Sequence, residues 1–206
     1  MKNEFVWMLG VATIVVAGLA GAAAPDKAVQ QAAAKKANEL CSACHGPGGD
    51  SISPTFPRLA GQNEQYLENQ LKAFRSRTRA EPDAHDFMWG IAAPLDDTMI
   101  QGLAYYFSSQ SPVHGKPVDS ALTAKGKDLF DKGVPSKHIP ACASCHGKNG
   151  EGLGEFPRLA GQHAVYLVKQ LTVIQNALRA APVMHGIVKE LSQDEMQAVA
   201  AFLQSQ

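Results

Sequence analysis

The sequence predicts an all-α protein in which one helical unit of about 90 residues occurs twice in tandem. Three observations lead there. A Cys-x-x-Cys-His motif occurs at Cys41–His45 and again at Cys142–His146. The segment Phe56-Pro57-Arg58-Leu59-Ala60-Gly61-Gln62 recurs unchanged at Phe156 to Gln162, and 11 of 16 positions match when the comparison runs on to Leu71 and Leu171. No stretch of useful length alternates apolar and polar residues as a half-buried strand does, whereas helix-capping signals recur in the same order in both copies.

Residues 1–24 precede the first unit. Lys2 stands before an apolar run from Phe5 to Ala24 that ends in small residues, Gly21 to Ala24. This is the layout of a secretory signal, with Ala20-Gly21-Ala22 or Ala22-Ala23-Ala24 as the processing box. A run of about 20 apolar residues is also just long enough to anchor a chain in a bilayer. Its weakly apolar Ala/Gly tail favours cleavage, and both readings export the rest of the chain.

The first unit spans 25–112 and the second 113–206, with the Pro/Gly-rich stretch Ser111 to Pro117 as the join. Asp26 suits the N-cap of an Ala-rich helix to about Leu40, and Asp119 or Ser120 the cap of its counterpart to about Lys132. Helices follow from about Gln62 and Gln162. The closing helices begin near Asp96 and Ser192, where Ser192 to Glu195 has capping-box spacing. Formal net charge is zero, which supplies no polybasic surface for nucleic acid. Residues 25–112 carry 8 Lys/Arg against 10 Asp/Glu and 113–206 carry 10 against 8, so any dipole between the units is modest.

The chemistry lies in the cysteines. All four, Cys41, Cys44, Cys142 and Cys145, fall in the two Cys-x-x-Cys-His motifs, the attachment signal of a c-type haem. Two thiols must reach two vinyl groups on one porphyrin edge, and the next residue must present an imidazole to iron. His45 and His146 are thus the proximal ligands of two covalent haems. A zinc site would need its Cys pairs roughly 15–20 residues apart, and a thioredoxin-like pair would sit beside a βαβ pattern. The haem also gives each small unit the large apolar centre that it needs.

A carrier haem needs a second axial ligand. An offset of 96 residues aligns the closing helices and pairs Met88 with Met184, the assigned distal ligands. An offset of 100 instead pairs His85 with His185, Arg79 with Arg179 and Pro82 with Pro182, so a four-residue gap lies in this stretch. Met99 and Met196 read as helix-packing residues. The proximal imidazoles need acceptors for their second N–H, and the Pro57 and Pro157 carbonyls, 12 and 11 residues on, are the candidates; a plain turn-forming proline is the other reading. Arg58 and Arg158 are repeated cations that suit haem propionates, or an ordinary surface.

With these residues in place, the chain resembles the cytochrome c4 family, dihaem cytochromes of bacterial periplasms. Both Cys-x-x-Cys-His-Gly motifs, both FPRLAGQ segments, both methionines and both closing helices carry the resemblance across the mature chain. It implies two class I cytochrome c domains face to face, with propionates near the interface. It also implies a monomer that passes electrons from a quinol-oxidising cytochrome bc complex to a terminal oxidase, loosely membrane-associated. A dihaem peroxidase would need one iron without a firm distal ligand, against which the paired methionines count; a subunit docked permanently to a dehydrogenase or oxidase is the third reading. The copies are unequal: the second has an extra loop, Gly133 to Ala141, and the first a longer span from His to Met, 43 residues against 38.

Overall fold

The computed structural model describes residues 24–115 and 120–206. The apolar segment of residues 1–23 and the alternative cap Asp119 therefore lie outside the described residues. Among the described residues, ten α-helices form two similar halves, and the only β pairing is three isolated bridges. No described helix is long and apolar enough to cross a membrane.

The first half opens with α1 (Lys27–Lys36), whose first turn is held by Asp26 accepting from the Val29 N–H at 2.9 Å. The chain stays helical through a π turn (Ala37–Cys41) and enters α2 (Ser42–His45), which carries the second Cys and the His. Gly46 ends it with φ +75°, and a Cβ there would lie 2.2 Å from the Asp50 carbonyl oxygen, so only glycine fits. Next come α3 (Glu64–Arg75), α4 (Trp89–Ala92) and α5 (Asp97–Ser108). The second half repeats the order as α6 (Ala121–Lys132), α7 (Ala143–His146), α8 (Ala164–Gln175), α9 (Pro182–Val188) and α10 (Gln193–Gln204). Ser120 caps α6, and Ser192 and Glu195 form a complete capping box on α10.

In each half the first and last helices pack together, α1 on α5 and α6 on α10. One glycine allows each close approach: Gly102 of α5 lies against Val29 and Ala33, and Gly126 of α6 against the Ala198 carbonyl. The halves have separate cores. Ile100, Leu103 and Phe107 anchor the first; Phe130, Met196 and Phe202 anchor the second. Met196 is buried in that core and Met99 packs on the other, where helix-face methionines belong.

Two local differences from the sequence reading have physical causes. The helices expected from Gln62 and Gln162 begin at Glu64 and Ala164, and Asn63 caps the first by accepting from the Tyr66 N–H at 3.1 Å. The glutamine side chains are spent elsewhere, as described below. The run expected to be α-helical to Leu40 widens into a π turn after Lys36, which inserts an extra residue into the helix.

The four-residue gap also has a place. Residues 82–92 form one helical run of 11 residues, with a π turn at Ala84–Met88, where the second half has the 7-residue α9. The first half carries an extra turn just before its methionine, and the π turn takes up the excess. The extra loop of the second half is clamped instead: Lys137 reaches the Glu195 carboxylate at 2.7 Å and the Glu190 carbonyl at 3.1 Å.

Candidate haem sites

A cavity of about 680 Å³ runs between the halves. Cys41, Cys44, His45 and Met88 line it from one half, and Cys142, Cys145, His146 and Met184 from the other. His85 and His185 do not line it. His85 is exposed and paired with Asp86 at 2.6 Å, while His185 donates through Nδ1 to the Ile174 carbonyl at 2.9 Å. Met99 and Met196 also lie away from it.

The two imidazoles are held alike. Nδ1 of His45 donates to the Pro57 carbonyl at 2.9 Å, and Nδ1 of His146 to the Pro157 carbonyl at 3.0 Å. Phe56 and Phe156 meet these rings edge-on, each with centroids 6.2 Å apart. The loop that presents both acceptors is itself fixed twice over. Leu59 N–H donates to the Gly49 carbonyl and Leu159 N–H to that of Gly150; Gly61 and Gly161 tie the loops to the ends of α5 and α10.

With the proton on Nδ1, Nε2 of each ring keeps its lone pair. Nε2 of His146 is fully buried and has no hydrogen-bond partner among the described residues. Burial holds both imidazoles below their ordinary pKa, against the opposing pull of the proline carbonyls, so both are neutral donors of the kind iron requires. Burial also pushes the Cys41 thiol up, with Lys36 opposing, and the Cys142 thiol up to about 11. An orphaned imidazole nitrogen, two thiols per half and an apolar cavity fit a covalently bound haem on each side.

The repeated arginines are not free surface groups. The Arg58 guanidinium crosses to the Gly161 carbonyl, bonds the Ser51 carbonyl at 3.3 Å and lies 3.5 Å from Asp50. Arg158 is half-buried, and burial works against its charge while Glu151 supports it. Both line the cavity.

What the sequence reading missed is the seam between the halves. Gln62 donates to the Arg158 carbonyl at 2.9 Å and accepts from the Arg158 N–H at 2.7 Å. Gln162 does the same to Arg58, at 2.9 Å in both directions. Each glutamine thus acts as a peptide group paired with the opposite backbone, about an approximate two-fold axis. Nε2 of His163 donates to the Ser51 carbonyl at 2.8 Å, and Asn63, its counterpart, donates to Gly154. Arg79 and Arg179 form an antiparallel bridge at the centre, with Ala80 N–H donating to the Leu178 carbonyl at 3.0 Å. The signal was present as strict repetition of polar residues within FPRLAGQ, which a domain core alone does not demand.

Two tandem helical domains, each presenting a Cys-x-x-Cys-His turn and a methionine to an apolar cavity, define a dihaem c-type cytochrome. The cytochrome c family matches residues 30–110 and 123–206. The chain is 40% identical to cytochrome c4 of Thiocapsa roseopersicina over 89% of its own length and 95% of that protein's. It is 36% identical to a thiosulfate dehydrogenase electron acceptor of Thiomonas intermedia, covering 99% of this chain and 94% of that one. Among solved structures, cytochrome c4 of Acidithiobacillus ferrooxidans superposes with a TM-score of 0.76 at 42% identity, over 81% of this chain and 98% of that one. This chain belongs to the cytochrome c family and, within it, to the cytochrome c4 family of dihaem electron-transfer proteins.

Proposed function

We propose that the protein is a periplasmic carrier of single electrons in which 25–112 and 113–206 each hold one haem. Cys41 and Cys44 form the thioethers of the first and Cys142 and Cys145 those of the second; His45 with Met88, and His146 with Met184, are the axial ligands. One observation carries this assignment: these eight side chains line one cavity, while the rival His85 and His185 lie outside it with partners of their own.

When bound, haem supplies a one-electron iron couple that thioether ligation biases towards the ferrous state. The chain does the rest. The Pro57 and Pro157 carbonyls hold each imidazole in one tautomer and one orientation, so its Nε2 stays available to an iron. The apolar walls exclude water. Arg58 and Arg158, which line the cavity at the seam, would supply positive charge to haem propionates. With one His and one Met available to each iron, neither haem would keep a position for a substrate, which supports a carrier rather than an enzyme.

The partners are redox proteins. In this reading a quinol-oxidising cytochrome bc complex reduces a monomer that delivers electrons to a terminal oxidase. A second reading has a thiosulfate-oxidising dehydrogenase as donor, supported by the 36% identity to the Thiomonas protein along 99% of this chain. Stopped-flow reduction by each candidate donor separates the two.

The assignment is tested by absorption spectra of the purified exported protein, oxidised, reduced and then exposed to carbon monoxide. Two haems per chain, a far-red ferric Met–sulfur band and no response to carbon monoxide are expected. A haem that lacks the band and binds carbon monoxide overturns its methionine assignment and brings enzyme or sensor chemistry forward.

A further inference from the structure

At the centre of the seam, nearly every polar residue occurs as a pair from the two halves. Tyr66 and Tyr166, Gln70 and Gln170, and Arg79 and Arg179 all line the cavity and meet here. Arg179 donates to the Gln170 side-chain carbonyl at 2.6 Å, to that of Gln70 at 2.8 Å and to the Tyr66 hydroxyl at 2.6 Å. Arg79 donates to Gln70 and Gln170, each at 3.1 Å. The one unpaired member is Glu81, because the second half has Ala181 at the corresponding place.

Glu81 is 1% exposed, and its Oε1 accepts from Arg79 Nε at 2.8 Å and from Arg79 Nη2. Its Oε2 is buried without a hydrogen-bond partner among the described residues, and the side chain lines the cavity. Burial opposes the Arg179 charge, but the flanking Tyr66, Tyr166 and Glu81 outweigh it and hold its pKa up. Burial holds the Tyr166 phenol protonated. The nearby pair of Lys169 and Asp83 is neutral as a whole. The centre of the seam, away from Arg58 and Arg158, therefore holds two guanidinium charges and one carboxylate, placed asymmetrically.

A buried charge acts strongly on a redox centre because little solvent screens it. A carboxylate favours the more positive ferric state and lowers a potential; a guanidinium does the reverse. We propose that Glu81 makes the two haems electrically unequal: it pairs directly with Arg79 and acts on Arg179 only from a distance, and so biases the direction and size of electron exchange between the domains. The inference rests on the two-haem reading above. Haem content per chain, measured first, separates failure of that reading from failure of this one.

The test is a spectroelectrochemical titration of the holoprotein and three variants. In Glu81→Gln the sum of the two potentials rises and the internal exchange constant changes about tenfold, or about 59 mV for one electron. Arg79→Gln moves the sum the opposite way. The double variant Arg79→Gln/Glu81→Gln, which removes a neutral pair, returns the sum towards that of the parent and provides the readout should a single variant fold poorly. Glu190→Gln, whose side chain is exposed to solvent and lies outside the seam cluster, shifts the potentials far less than Glu81→Gln. Equal shifts at both haems in Glu81→Gln, unmoved potentials there, or a double variant displaced as far as Glu81→Gln overturn the proposal.

Discussion

Replacing Gln62 by alanine removes one of the two glutamine–backbone pairs across the seam while leaving the Cys, His and Met side chains of both haem sites in place. The side chain makes two hydrogen bonds to the Arg158 backbone, and its Oε1 also accepts from the Asn63 N–H at 2.9 Å. At a net of about 1 kcal/mol per bond, the two bonds across the seam contribute about 2 kcal/mol. Gln62 is only 7% exposed, so water reaches the abandoned Arg158 groups poorly and the loss grows. Against this, alanine releases up to about 2 kcal/mol of side-chain entropy that glutamine loses on ordering. The net expectation is a loss of about 1–3 kcal/mol in Gln62→Ala. Gln162→Ala, by the pseudo-symmetry, costs about the same. In the double variant the domains have lost both glutamine–backbone pairs and keep the Arg79–Arg179 bridge, so their unfolding is less tightly coupled. The assay is guanidinium unfolding of the holoprotein, followed at the haem band and by far-ultraviolet circular dichroism. A single transition in the double variant, displaced by less than about 0.5 kcal/mol, refutes the view that these glutamines join the domains.

Other outcomes follow from single sites. Met88→Ala and Met184→Ala each remove part of the far-red ferric band and open that one iron to carbon monoxide. Burial, with Arg58 adding to it, holds the His163 imidazole below its ordinary value of 6.5, so the unfolded chain binds that proton more readily than the folded one. The stability from His163 is therefore complete above pH about 6.5 and declines as the pH falls towards the depressed native value. His163→Asn, which copies Asn63, flattens this limb of a plot of melting temperature against pH. Gly126→Ala places a methyl 1.9 Å from the Ala198 carbonyl oxygen; overpacking destabilises the fold by about 3 kcal/mol, read as a lowered melting temperature, while Gly186→Ala, where nothing lies within 4 Å, leaves it unchanged.

The duplication and the capped starts of the first and closing helices were legible in the sequence. Asp26, Asp96 and Ser192 each cap a helix through an oxygen placed three residues before the N–H that it accepts. Capping of this kind is a local interaction, so a local reading finds it. The same holds for Cys-x-x-Cys-His, because two thiols and an imidazole must share one short turn.

The axial methionines show where local reading thins. Alignment from the end of each copy selected Met88 and Met184, alignment from the middle selected His85 and His185, and composition could not choose between them. The structure puts the extra residues in one additional turn of the 82–92 run, with a π turn that ends on Met88. Only the packing of that run shows which side chain faces the cavity.

The sequence by itself determined that there are two units, that each is helical, and that each binds haem through one short motif. Those features rest on neighbours within a few residues of each other. Tertiary structure decided what Gln62, Gln162, Arg79, Arg179 and His163 do, because partners of each lie in another part of the chain, about 100 residues away. Repetition marked most of these residues as constrained. The pairing of the domains, and the one carboxylate that breaks their symmetry, exist only once the two halves meet.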